Sequence, residues 1–480
     1  MSAIGDALAR SPAVAAAREA LTGEGWVVGG AVRDAALGRP VVDADLAVGA
    51  GAEESAARAI AKAVGGAVFP LSEQFGTWRA LADDRSWHAD VTRLRAPDLE
   101  GDLRLRDFTV NAVALPLADP GAAPIDPTGG LADLDARVLR AVSPGSFRDD
   151  PLRLLRAARL AAELGLAIEP GTAELARVES ARASEPAGER RLAELRQMVA
   201  GPDPLRALEL LDELSATAGV LPELEALRGV EQNPNHHLDV HGHTLEVLRQ
   251  LLEIESDLER YAGASAKRVG ALLAQPLGDG FTRGDALRLG ALTHDVGKPE
   301  TKGLKSGYIT FIGHDSVGGD LIDAGLGRLE ASRALRRHVA GLARNHLHLG
   351  FLVHERPLPA RRLYEYLDRC GDVAPDVTLL TAADRMSARG SGSLAAPEMI
   401  TAHLGLVREV LPAALDWQEH GPPALPLAGD ELARAAGIEE GPELGSLIAE
   451  LRAATFAGEV RTADDAIAHA RRTLAPGTSE

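Results

Sequence analysis

The chain has 480 residues, 45% hydrophobic and 25% charged, enough ordinary globular sequence for several hydrophobic cores. A lone cysteine, Cys370, excludes an internal disulfide framework and multi-cysteine zinc sites and fits a reducing, cytoplasmic compartment; no membrane span or signal peptide is indicated. The net charge of −19 excludes a surface that coats nucleic acid generally and leaves only local basic stripes for phosphate. The lysines are Lys62, Lys267, Lys298, Lys302 and Lys305, so positive charge is almost all arginine, a bias that suits bidentate phosphate contacts and equally fits a GC-rich genome.

Residues 1–24 read as a helix feeding a strand, Trp26–Val28, which Gly29 and Gly30 break. A short helix, Ala31–Leu37, stops at Gly38 with Pro40 beyond it, and a second strand, Val41–Val48, carries Asp43 and Asp45. Residues two apart on a strand share a face, so both carboxylates are expected to point at a glycine turn that opens a helix. Amides there favour phosphate and paired carboxylates favour Mg²⁺, which together imply metal-dependent chemistry on a nucleoside triphosphate. The string GGAVRD…DADLAV resembles the signature of the class II nucleotidyltransferases, the bacterial-type tRNA CCA-adding enzymes and bacterial poly(A) polymerases. The resemblance implies an α/β head of the DNA polymerase beta superfamily, with Asp43 and Asp45 as catalytic metal ligands and Gly29, Gly30 and Arg33 at the nucleotide.

An amphipathic helix, Ala52–Val64, and strands over 67–71, 79–81 and 88–94 are expected next. Asp90, flanked by apolar residues, is either the third carboxylate that such heads often carry or a polar residue on an edge strand. Residues 102–115, DLRLRDFTVNAVAL, resemble the family string DLxRRDFTxNA, which implies nucleotide contacts from Arg106, Asp107 and Asn111; the departure is Leu105, where the family usually has an arginine. A turn and helix over 126–140 close the head. In residues 147–165, FRDDPLRLLRAARLAAELG, the aspartates read as the N-terminal cap of a helix and Gly165 as its stop, with Arg153, Arg156 and Arg159 roughly along one face. By resemblance to the E-D-x-x-R element, with Asp149 in place of the glutamate, Asp150 and Arg153 read the Watson–Crick edge of the incoming base, and Arg156 and Arg159 lie nearer the phosphates or primer. A carboxylate accepts from the exocyclic amine of cytosine or adenine, and arginine donates to ring or carbonyl acceptors. The helical stretch to about residue 228 includes GERRLAELRQM, similar to the family's neck, where Arg190, Arg191 and Arg196 either meet tRNA phosphates or form a solvated face.

Beyond residue 236 histidines cluster: His243, His294 beside Asp295, His314 and His346, followed by Asp384. This order resembles HD-domain metal phosphohydrolases. The resemblance implies a first metal at His243, His294, Asp295 and Asp384, with His314 and His346 holding a second metal or phosphate. Lys298 would pair with a phosphate or with Asp295. Mixed imidazole and carboxylate donors suit Mn²⁺, Fe²⁺, Ni²⁺ or Co²⁺. A helix over 400–410 is expected to end or kink at Pro412. Residues 425–472 resemble the helical C-terminal module of many CCA-adding enzymes, where the Gly441–Pro442 turn is either a phosphate cradle or a plain helix turn; the last residues, APGTSE, read as frayed.

The expected organisation is a nucleotidyltransferase head (1–140), a helical neck (141–228), an HD domain (229–395) and a C-terminal helical module (396–480), so that an α/β head is followed by an all-α body. The implied activity is addition of CMP and AMP, from CTP and ATP, to the 3′ end of tRNA, with Mg²⁺ in the head. CC-only, A-only and poly(A) addition remain alternatives, separated in the family by a flexible loop between the D-x-D strand and Arg106. An HD phosphodiesterase with an RNA-binding head is an alternative of another class; the intact D-x-D argues against a purely tRNA-binding chaperone.

Overall fold

Gly25–Val28 is buried on every side chain, and as strand β1 it sits inside a six-stranded mixed sheet, where both faces of a strand are covered. Two helices, not one, precede it: α1 (Ala3–Ala9) and α2 (Pro12–Ala20) are separated because Ser11 caps Val14 N–H and Pro12 starts a new helix. After β1 come α3 (Gly30–Ala36), β2 (Ala44–Val48), α4 (Glu53–Ala63), β3 (Ala67–Ser72), β4 (Thr77–Leu81), β5 (His88–Arg93) and β6 (Ala114–Pro116). The strand order is β3-β4-β5-β2-β1-β6, with β2 and β5 parallel and in register at Asp45 and Asp90. Asp90 is therefore on a central strand rather than an edge. The sheet packs on a core of Val27, Leu46, Ile60, Ala80, Val91 and Leu115, with α4 across it.

The computed structural model describes residues 3–72 and 76–474 and divides the chain into two units, Met1–Val220 and Leu221–Glu480. The stretch expected to hold the specificity loop includes 73–75, and the expectation of a frayed APGTSE end falls on 475–480; both lie outside the described residues.

The second strand starts at Ala44 rather than Val41, so Asp43 precedes it. Within 147–165 a short turn of helix, Ser146–Asp149, ends at Asp150, whose backbone is extended before Pro151, and the long helix runs from Arg153 to Leu164. Gly165 stops it in the left-handed conformation, as expected.

In the second unit the regular structure of the described residues is helical apart from two small two-stranded ribbons, Pro276–Gly278 with Phe281–Thr282 and Lys302–Lys305 with Tyr308–Phe311. Pro412 neither ends nor breaks its helix, which spans Pro397–His420. Helices Gly429–Ala436, Pro442–Phe456 and Ala463–Leu474 share a separate core of Leu432, Leu447, Leu451 and Val460. No helix among the described residues is long and apolar enough to cross a membrane.

Candidate active site

The first site is built where β1 hands over to α3. Gly29 has φ +65°, and a Cβ there would lie 3.2 Å from Asp45 Oδ2 and 3.1 Å from Arg106 Nη1, so the turn needs glycine on both conformational and steric grounds. Gly30 N–H donates to Asp45 Oδ2 at 3.0 Å. The amide expected to face phosphate is thus already holding the carboxylate. Burial and the neighbouring charge of Asp90 raise the Asp45 pKa, opposed by Arg106, the Gly30 amide and Arg33. Asp43 lies at the exposed end, accepting from His88 N–H at 2.9 Å with its ring Nδ1 at the same distance. Asp90 is clasped bidentately by Arg79, at 2.7 and 2.8 Å, and that bond leads the effects that raise the Arg79 pKa, with further favourable charge from Asp43 and Asp45. Three carboxylates therefore share one arginine at one end of neighbouring strands.

Behind them a polar chain runs into the helical part of the same unit. Arg33 donates to Asn111 Oδ1 (2.8 Å), Asn111 to Asp107 Oδ1 (3.1 Å), and Arg156 to Asp107 Oδ2 (2.9 and 2.6 Å). Arg156 also reaches Glu194, which Arg159 meets at 2.6 Å. Burial alone would raise the Asp107 pKa; Arg156 and Asn111 outweigh it and hold the carboxyl well below its usual range. Arg106 bonds Asp102 at 3.2 Å and keeps its buried Nε without a hydrogen-bond partner.

The second unit brings together the four histidines and Asp384 from five helices or helix ends. His294, His314 and His346 each place Nδ1 2.6–2.9 Å from the carbonyl three residues earlier, which fixes Nε2 as the inward lone pair. His243, His294 and Asp384 form one group and Asp295, His314 and His346 another, with ligand atoms inside each group within 4.8 Å. Asp295 bridges them: Oδ2 lies 3.1 Å from His294 Nε2 and 2.6 Å from Lys298 Nζ, and Oδ1 lies 3.3 Å from His314 Nε2. Lys298 therefore pairs with Asp295. Buried Nε2 atoms of His243 and His294 each face a carboxylate oxygen at 3.1 Å, of Asp384 and Asp295 respectively, and His314 and His346 face each other, Nε2 to Nε2, at 3.3 Å. Such a donor set fits cations. A cavity of about 200 Å³ opens onto it, lined by His236, Lys298 and Phe311 among others.

Residues 25–140 match the Poly A polymerase head domain, and residues 165–227 match the probable RNA and SrmB-binding site of polymerase A. The A-adding tRNA nucleotidyltransferase of Deinococcus radiodurans is 37% identical over 93% of this chain and 94% of its own length. The chain belongs to the tRNA nucleotidyltransferase family. A CC-adding tRNA nucleotidyltransferase of Thermus thermophilus is 34% identical over 92% of each chain. The fold is also that of the Thermotoga maritima CCA-adding enzyme complexed with tRNA, at a TM-score of 0.57 and 18% identity over 98% of this chain and 99% of that one.

In this nucleotidyltransferase the residues expected to read the base are neighbours: Asp150 accepts from Leu152 N–H and pairs with Arg190 at 2.8 Å, and Arg153 donates to Ser146 and to the Leu105 carbonyl. Arg156 and Arg159 are placed differently from the phosphate-facing expectation, because Asp107, Glu194 and Glu163 already surround them and Arg159 is buried. Arg190 and Arg191 are likewise engaged inside the unit, the latter on the Pro186 and Gly219 carbonyls. Sequence reasoning missed Arg79, His88, Glu194 and His236. A basic residue within the otherwise apolar strand TWRAL was the available signal for Arg79; the adjacent histidines of NHHLD were the signal for His236.

Proposed function

We propose that this enzyme adds CMP and AMP, from CTP and ATP, to the 3′ end of tRNA in the cytoplasm. The primer 3′-oxygen attacks the α-phosphorus, the bond to the β-phosphate oxygen breaks, and pyrophosphate leaves. The observation that carries the reading is the Gly30 amide holding Asp45 beside Asp90 and Asp43, with the Arg106 side chain across the same glycine turn. Three carboxylates offer the all-oxygen donors that Mg²⁺ prefers, and the raised Asp45 pKa marks a site whose ionised form calls for a cation. Asp43 and Asp45 would hold Mg²⁺, with Asp90 as the third carboxylate; bound Mg²⁺ supplies a lowered pKa at the 3′-hydroxyl and charge stabilisation on the triphosphate. Gly29 leaves room at the turn, Arg33 and Asn111 brace it, and Arg106 supplies positive charge for phosphate. Asp150 and Arg153 present acceptor and donors to the base, while Asp107, Arg156 and Arg159 act as the brace that fixes their helix. The test gives the full-length enzyme tRNA lacking CCA, tRNA ending in CC, and an unrelated RNA, with CTP and ATP separately, and reads products at nucleotide resolution. Extension of neither tRNA overturns the reading. The two relatives named above, matched over 94% and 92% of their own lengths, are an A-adding and a CC-adding tRNA nucleotidyltransferase, which favours a partial specificity as the second reading; extension of one tRNA alone would establish it.

The second unit is read as an HD-type domain that hydrolyses phosphoesters, with water attacking phosphorus and the ester oxygen leaving protonated. Its support is the convergence of the four Nε2 atoms with the Asp384 and Asp295 carboxylates and the Asp295 bridge. His243, His294 and Asp384 would hold one divalent transition metal such as Mn²⁺, Ni²⁺ or Co²⁺, and His314 and His346 a second, with Asp295 between them; Lys298 orients Asp295. Hydrolysis of bis(p-nitrophenyl) phosphate by the full chain with added Mn²⁺, lost in His243→Ala, tests it.

A further inference from the structure

We infer that the ribbon Lys302–Lys305/Tyr308–Phe311 is the seat of a single-stranded RNA end whose terminal phosphoester enters the His/Asp cavity. The inference deepens the phosphohydrolase reading, and rests on it, by naming the substrate class as an RNA terminus rather than a free mononucleotide.

Both roots of the ribbon are walls of the cavity. Before it, Lys298 bonds Asp295 at 2.6 Å and Gln232 at 2.7 Å; after it, the Phe311 carbonyl accepts from His314 Nδ1, and the Lys298 ammonium stands 5.3 Å from the Phe311 ring centre. The strands therefore leave the site and return to it through a tight turn, with positive φ at Ser306 and Gly307. A two-stranded ribbon of this size is marginal by itself in water. Its surface nonetheless leaves Leu304 and Tyr308 at 78% and 64% exposure, and Ile312, the residue after it, is 74% exposed.

The charge around it selects the partner. Three of the chain's five lysines, Lys298, Lys302 and Lys305, fall within this short segment of a chain whose net charge is −19. Lys302 meets only the exposed Glu231, at 3.6 Å, and Lys305 stands directly across the ribbon from Tyr308. A cation beside an exposed aromatic ring is the combination that tracks a phosphate backbone and stacks an unpaired base; a duplex keeps its bases out of reach. Size points the same way. The cavity of about 200 Å³ is below the range of about 300–1,000 Å³ that encloses drug-sized ligands, so a phosphoester fits inside while its base stays outside, where Tyr308 is.

Hydrogen exchange on the full-length protein tests the seat: amides of residues 303–310 gain protection with tRNA bearing a free single-stranded 3′ end. They gain none when that end is paired to a complementary oligonucleotide. In the double variant Tyr308→Ala/Lys305→Ala, the ratio of kcat/KM for a short RNA ending in a 2′,3′-cyclic phosphate to that for bis(p-nitrophenyl) phosphate falls about tenfold, through KM. The salt slope of RNA binding falls by about 0.7. Equal protection by free and paired ends, or protection that grows with protein concentration in the absence of RNA, overturns the inference, the latter in favour of contact between copies. If neither ester is hydrolysed, the phosphohydrolase reading falls and with it entry of the phosphoester into the cavity; the exchange experiment then decides whether the ribbon is an RNA seat at all.

Discussion

The two polar centres solve the problem of buried charge in opposite ways. In the head, two carboxylates on neighbouring strands and a third just before one of them are balanced by protein groups: Arg79 clasps Asp90, the Gly30 amide holds Asp45, and His88 meets Asp43. In the second unit the donors are mostly imidazoles: the inner nitrogens of His243 and His294 face carboxylates at 3.1 Å, and those of His314 and His346 face each other at 3.3 Å. An all-oxygen site suits Mg²⁺, whereas a site rich in imidazole nitrogen suits a transition-metal ion. Removing metal with a chelator is therefore expected to lower the melting temperature of the second unit and leave the head's nearly unchanged, as followed by exchange or limited proteolysis of each.

The strongest break in this comparison is Asp45→Ala. It removes the central carboxylate of the head, and nucleotide incorporation in single-turnover assays is expected to fall by at least about 10³-fold. The metal content of the second unit, measured by plasma mass spectrometry, should be unchanged. The reciprocal variant His243→Ala should weaken transition-metal retention by at least about 100-fold and leave incorporation as it was. Loss of both properties in either variant would mean that the centres are not independent.

These expectations rest on features that were unequally legible in the sequence. The glycine turn and Asp45 could be read because everything that defines them is local: a strand, two glycines and a carboxylate fifteen residues on. The order of the histidines was also legible, yet the bridging place of Asp295 depends on helices spread from Val240 to Ser387 converging, which no local pattern encodes. Arg79 escaped because its partner is set by antiparallel register, Arg79 opposite Asp90, and register is a tertiary property. The partner of Asp150 escaped for a related reason. The aspartate cap and the Gly165 stop are local, but Pro151 disfavours helical backbone at Asp150, and the break turns Asp150 towards Arg190 from a distant helix.

The brace behind the head sharpens the contrast between balanced and unbalanced charge. Asp107→Asn leaves Arg156 without one of its two carboxylates and is expected to cost about 3 kcal/mol at neutral pH, in the range for breaking a largely buried pair. The folded state holds the Asp107 pKa below its unfolded value, so the unfolded chain takes up the proton first as pH falls. The stabilisation is thus complete above about pH 5 and declines as pH drops below about 4, and the gap between the natural protein and the variant should narrow there. Urea denaturation from pH 7 to pH 3 measures this; a gap that widens on acidification would show that Asp107 is not held ionised by Arg156.

The smallest effect is expected at Leu105, where the family's usual arginine is missing. Its side chain is 46% exposed, and the group that does structural work is its carbonyl, which Arg153 Nη2 meets at 2.9 Å. Leu105→Arg keeps that carbonyl, so stability should change by no more than about 0.5 kcal/mol. Arg106 already stands at the glycine turn beside Asp45 and is tied to Asp102, so a second guanidinium one residue earlier adds charge without taking over that place. The KM for CTP and ATP should stay within about twofold. A gain well beyond that, with kcat unchanged, would show that position 105 meets the triphosphate directly and that the head binds nucleotide less tightly than its carboxylate geometry permits.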